Sequence, residues 1–158
     1  MITRLSVDAR KVVLTSAAEE ARRRGDRRLG TDHLLLGLLH DASSTVAMAL
    51  GTDLESARDA ADALDRAALA AVGVDVTHLG DPTRPVFSRR LLPLTSGSRA
   101  VIKTALDETR RAGSRRIEAR QFLLALLDRQ RPDPAAELLQ ALGVDPAQVR
   151  ERLEGQEE

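Results

Sequence analysis

The chain has 158 residues, 24 basic against 24 acidic side chains, two Phe, and no Trp, Tyr or Cys. That length suits a single domain, 1–158, with a real core, which aliphatic side chains must fill. Absent cysteine excludes thiolate catalysis, zinc–thiolate sites and disulfides, and zero net charge argues against a dedicated nucleic-acid binder. The start, MITRLSVDARK, carries no signal-type apolar run, and no stretch is long enough to span a bilayer, so a cytoplasmic, membrane-free protein is expected.

Helical periodicity governs almost the whole chain. Ala9, Val13, Ala17 and Ala21 recur every fourth residue, with Val12 and Ser16 alongside, a narrow small-residue stripe suited to close helix packing. Ser6 is the expected N-cap of this helix and Gly25 its stop. Thr31 is the expected cap of a second helix, Asp32 to Leu39, apolar around most of its circumference and therefore central. A short helix over Ser44 to Leu50 follows, stopped by Gly51, and then one from about Asp53 to Val72. Residues 73–93 hold three prolines and two glycines, which forbid a continuous helix and mark a linker that contains Phe87 and His78. Helices resume at about Thr95 to Ala112, Ala119 to Arg129, Pro134 to Leu142 and Pro146 to Leu153, and 155–158 reads as a frayed tail. No segment alternates with period two over a strand's length. The expected fold is all-α, with eight helices.

The two halves say the same thing. VLTSAAEEARRRGDRRLGTDHLLLGLL from Val13 matches VIKTALDETRRAGSRRIEARQFLLALL from Val101 at a constant offset of 88. Beyond the leucine run the offset becomes 92, pairing Ala49-Leu50-Gly51 with Ala141-Leu142-Gly143; the second copy has four extra residues around Arg131-Pro132-Asp133-Pro134. A duplicated helical unit normally buries its apolar faces against its twin. Two four-helix repeats related by a pseudo-twofold axis, 1–72 and 94–154, are therefore expected.

Leu29-Gly30-Thr31-Asp32-His33-Leu34-Leu35-Leu36-Gly37-Leu38 closely resembles the I-G-T-E-H-I-L-L-G-L signature of the amino-terminal domain of Clp-type unfoldases. The A-x-x-E-A-R spacing of Ala17, Glu20, Ala21 and Arg22 and the downstream Ala-Leu-Gly match as well, so the likeness covers nearly the whole chain. The resemblance implies a duplicated four-helix fold and a non-enzymatic protein-interaction module that receives substrates and adaptors, modulating or delivering to a Clp protease. Implied partners are Clp unfoldase components, adaptors or tagged substrates; no cofactor is implied. No G-x-x-x-x-G-K-[ST] loop occurs, so the likeness is to a free-standing copy of that domain. In some members the acidic residue of G-T-E-H in each half helps to bind phosphorylated arginine. Here Asp32 keeps the charge, whereas the second copy reads Glu118-Ala119-Arg120-Gln121 and reverses it, so the implied peptide-binding set is Thr31, Asp32 and His33, with Arg120 as the altered counterpart.

Other chemistry is poorly supported by the residues. Thr31 and Asp32 also suit plain helix capping, with a carboxylate complementing the positive helix end. His33 and His40 stand seven residues apart, about 10.5 Å along a helix, too far to share a metal ion. Ser96-Gly97-Ser98 lacks the G-x-S-x-G framework, so no catalytic residue is assigned. The arginine clusters recur at equivalent places, and Arg23, Arg27, Arg111 and Arg115 are the candidates for an acidic partner or a phosphate. A regulator that binds nucleic acid through these clusters is the alternative reading; the missing aromatic platforms speak against it.

Overall fold

The computed structural model describes residues 2–73 and 92–156, with side chains from Val12 onward. Eight helices occupy the described residues: α1 Ile2–Arg23, α2 Thr31–Leu38, α3 Thr45–Leu50 and α4 Leu54–Ala71, then α5 Ser96–Arg111, α6 Ala119–Leu127, α7 Pro134–Ala141 and α8 Pro146–Gly155. The only strand-like feature among the described residues is an isolated parallel β-bridge between Leu29 and Leu94. None of these helices is long and apolar enough to cross a membrane. The expected linker, with Phe87 and His78, falls almost entirely outside the described residues, as do Glu157 and Glu158.

The repeat is visible in how the helices end and pair. Gly25 and Gly113 close α1 and α5 with φ near +70°, the left-handed conformation that only glycine adopts without strain. Packing across the pseudo-twofold is reciprocal: α3 lies on α8 as α4 lies on α7, α1 on α6 as α2 on α5, and α2 and α6 meet at the centre. Each half therefore supplies the surface that covers the other. The apolar stretches of the sequence become the two central helices, with Leu34, Leu35 and Leu36 of α2 and Phe122, Leu123 and Leu126 of α6 fully buried. Against α2 packs the stripe of Val13, Ala17 and Ala21, whereas Val12 faces outward. Close approach is extreme at Gly37, where a Cβ would lie 2.9 Å from the Ala17 backbone nitrogen. The matching residue in α6 is Ala125, which is itself buried.

Side-chain oxygens cap several helices, with Asp53 at the expected place. Ser44, Asp53 and Thr95 accept hydrogen bonds from the backbone N–H groups of Ala47, Ser56 and Ser98. Two expectations need correction. α1 begins at Ile2, so Ser6 lies inside the helix rather than at its cap. Thr31 is the first residue of α2, and the N-cap is Gly30. The open N–H there is satisfied from within: His33 Nδ1 accepts from the Gly30 N–H at 2.8 Å. Gln121 Oε1 does the same for the Glu118 N–H at 2.8 Å, so the capping role survives where the signature itself has changed.

Candidate functional site

Freed from capping its own helix, the Thr31 hydroxyl works across the repeat interface. It donates to Asp133 Oδ1 at 2.7 Å and accepts from the Ala135 N–H at 3.1 Å, at the start of α7. Asp133 also takes Arg129 Nε at 3.0 Å. The four extra residues of the second repeat thus carry the chain to a contact with the first. Nearby, Leu29 accepts from Thr95 N–H at 3.0 Å and from Ser98 Oγ at 2.8 Å, and donates to the Pro93 carbonyl at 2.9 Å. The strand-like residue before α2 is thereby tied to the residues entering α5.

Asp32 sits beside this joint, and its carboxylate is already engaged. Arg24 Nη1 donates to Asp32 Oδ2 at 2.9 Å, Nη2 binds Asp65 on α4, and Nε lies 4.0 Å from Asp26 and 3.9 Å from Asp62. The Arg24 side chain is only 7% exposed. Burial alone would make its charge less favourable, but the hydrogen bond to Asp65 and the fields of Asp65, Asp32 and Asp26 hold the guanidinium protonated, its pKa raised. His33 Nε2 donates to Asp26 Oδ2 at 2.7 Å, because Nδ1 is committed as an acceptor to Gly30. Thr31, Asp32 and His33 are therefore brought together, each with a partner.

A second buried ion network lies further along α1. Glu20 is fully buried. It accepts from Arg58 Nε at 3.0 and 3.2 Å on its two oxygens, and from His40 Nε2 at 2.9 Å. Desolvation pushes its carboxyl up, yet the Arg58 and His40 hydrogen bonds and charges outweigh it and hold the pKa below the ordinary range. Neither His33 nor His40 is spare for another role, and among the described residues no three metal-ligating side chains gather.

The arginine clusters divide. Arg24 turns inward, its side chain 7% exposed. Arg23 and Arg27 remain outside, as do Arg110, Arg111 and Arg115. Arg111 pairs with Glu108 at 2.8 Å and Arg110 lies 3.9 Å from Asp107, each one helical turn away. Arg120 is half-buried and has its own interaction.

Arg24, Asp62, Asp65, Glu20 and Arg58 were missed as site residues. The repeat carried one signal for Arg24. Arg22 and Arg23 recur as Arg110 and Arg111, but Arg24 matches Ala112 just as Asp32 matches Arg120, so the cation and its carboxylate changed together.

Three surface grooves lie among the described residues. One of about 380 Å³ lies between α1 and α5, floored by Leu14, Ala18, Leu29, Leu94, Ile102 and Leu106, with Arg99 and Lys103 on its α5 rim. A second, about 300 Å³, runs between α4 and the start of α7, lined by Leu64, Ala68, Pro134 and Leu138 and by Arg24, Asp32 and Asp65. A third, about 410 Å³, opens at the start of α2, and Arg24, Asp32, Asp65 and Pro134 line it as well. The first two grooves combine apolar walls with charged side chains, whereas charged and polar residues line most of the third.

The family model for the Clp repeat (R) N-terminal domain matches residues 4–91 and 93–158, and the chain belongs to that family. The chloroplastic chaperone protein ClpC2 of Oryza sativa subsp. japonica is 30% identical over 156 residues, covering 97% of this chain. The chloroplastic ClpA homolog of Brassica napus, an ATP-binding subunit of an ATP-dependent Clp protease, is likewise 30% identical over 97% of the chain. The chain spans 15–16% of the length of these relatives. The crystal structure of the N-terminal domain of the Clp-associated chaperone ClpD from Arabidopsis thaliana shares the fold, with a TM-score of 0.65 at 16% identity over 93% of each chain.

Proposed function

We propose that this chain is a non-enzymatic protein-interaction module that receives protein segments for a Clp unfoldase, either modulating the machine or delivering substrates to it. It acts as one domain, its halves 1–72 and 94–154, in the cytoplasm, with adaptors, tagged substrates or Clp subunits as partners. The observation that carries this reading is the groove between α1 and α5, where Leu14, Leu94, Ile102 and Leu106 line an open floor beside Arg99 and Lys103. An extended or helical peptide with apolar side chains gains by covering that floor, and an acidic residue on it complements the rim. The names of the relatives, chaperones and ATP-binding subunits of Clp proteases, support the same assignment. At the starts of the central helices, Asp32 is the carboxylate suited to a guanidinium-bearing ligand, flanked by Thr31 and His33, while Arg120 favours a ligand of opposite charge. The test is fluorescence anisotropy with labelled apolar–acidic peptides. Leu106→Asp is expected to weaken binding about tenfold or more, the scale of one lost anchor; unchanged binding would reject this groove.

The nucleic-acid alternative has weaker support, since Arg110 and Arg111 lie beside Asp107 and Glu108. A gel shift at low salt that disappears in Arg23→Glu would favour it over the peptide reading.

A further inference from the structure

We propose that Arg24 is an internal ligand that closes the first repeat's carboxylate site, so that an external arginine side chain enters only when Arg24 is displaced. The inference rests on the reading of Asp32 as a guanidinium receiver and states how that receiver is regulated. Four carboxylates, Asp26, Asp32, Asp62 and Asp65, come from the α1–α2 turn, α2 and α4 to surround one guanidinium. The occupant is nine-tenths buried, and its Nε finds no hydrogen-bond partner among the described residues. Asp32 and Asp65 take its two Nη groups, whereas Asp26 and Asp62 stay 4.0 and 3.9 Å from Nε, so the fit of this arginine to the cage is incomplete. Its outer carboxylates remain accessible, with Asp65 60% exposed and Asp62 44%. Arg24 also stands between two surface grooves: it lines both the one along α4 and α7 and the one at the start of α2. Withdrawing its side chain would join them around a carboxylate cluster matched to the fork of an arginine. The second repeat holds no equivalent, because Ala112 and Arg120 stand where the cation and carboxylate should be.

The experiment is chemical rescue in the intact chain. N-ethylguanidinium at millimolar concentration should raise the melting temperature of Arg24→Ala and leave the parent unchanged, because a ligand that binds only the native state stabilises it. N-ethylammonium, lacking the fork, should do less. Adding Asp65→Ala to Arg24→Ala should remove the rescue. If Arg24→Ala does not fold alone, the same titration is run on Arg24→Lys, which keeps the charge. No rescue in either variant, or an equal shift in the parent, overturns the proposal. An arginine-bearing peptide tested on the rescued variant separates the two ideas. Rescue without peptide binding rejects Asp32 as a ligand receiver and leaves Arg24 as its internal occupant. Peptide binding of equal strength in parent and variant rejects the closure by Arg24 and leaves the receiver.

Discussion

The first repeat buries Glu20, Thr31 and His33, while the second carries an exposed Glu108, an Ala119 and a partly exposed Gln121 at the matching places. Both halves nevertheless form the same four helices and close them with the same glycines. Their shared backbone is thus specified by the apolar register and the turns, whose removal would expose core surface at about 25 cal/mol per Å². Polar positions have diverged because a carboxylate is acceptable inside only where partners answer it. Arg58 and His40 answer Glu20; no buried cation answers Glu108, which stays at the surface with Arg111. The first half holds a buried ion-paired hub at Glu20, whereas the second keeps the matching glutamate at the surface.

The largest expected asymmetry lies at these two glutamates. Glu20→Ala leaves the Arg58 guanidinium and His40 without their buried acceptor and should cost about 2–4 kcal/mol, below the top of the range because Arg58 is partly exposed. Glu108→Ala should fall within about 0.5 kcal/mol of the parent. Urea unfolding of both variants checks the contrast, and similar losses would erase it. Next comes the close approach of α1 to α2. Gly37→Ala should destabilise by about 1–3 kcal/mol despite alanine's better helix propensity, because the added methyl meets backbone at 2.9 Å. Ala125→Gly, the reciprocal change in α6, should cost about 1–2 kcal/mol through propensity and a lost buried methyl alone. Melting curves showing Gly37→Ala to be stabilising would mean that the helices can shift apart.

Much of this comparison was legible in the sequence, and the reason is that apolar periodicity and turn chemistry are local. The leucine runs, the stops at Gly25 and Gly51, and the cap at Asp53 all follow from residues a few positions apart. Thr31 was misread because threonine is a better side-chain cap than glycine, and nothing local reveals that its hydroxyl is needed by Asp133 and Ala135 about 100 residues further on. Arg24 was missed for a similar reason. Within a run of three arginines only tertiary structure decides which turns inward, and the carboxylates that draw it in lie partly on α4. The groove between α1 and α5 was also hidden, since it takes Leu29 from before α2 and Leu92 from the end of the linker.

Two smaller effects sharpen the same asymmetry. Thr31→Ala should cost about 1–2 kcal/mol by removing both interface hydrogen bonds, whereas Thr31→Ser should recover most of it; thermal unfolding separates the hydroxyl from the methyl. The smallest is a pH dependence. Because the folded state lowers the Glu20 pKa, its contribution is fully present above the ordinary glutamate pKa of about 4.3 and is lost as pH falls through the lower folded value. Glu20→Gln should therefore flatten the acid limb of the stability profile measured by urea unfolding. An acid limb as steep in Glu20→Gln as in the parent would assign the loss to other carboxylates.

The most direct measurement is a pair of double-mutant cycles, Glu20 with Arg58 and Glu108 with Arg111, each read by equilibrium unfolding. An interior ion-paired hub confined to the first repeat predicts a coupling of about 1.5–3 kcal/mol in the first cycle and under about 0.5 kcal/mol in the second. Equal couplings in the two cycles would contradict it.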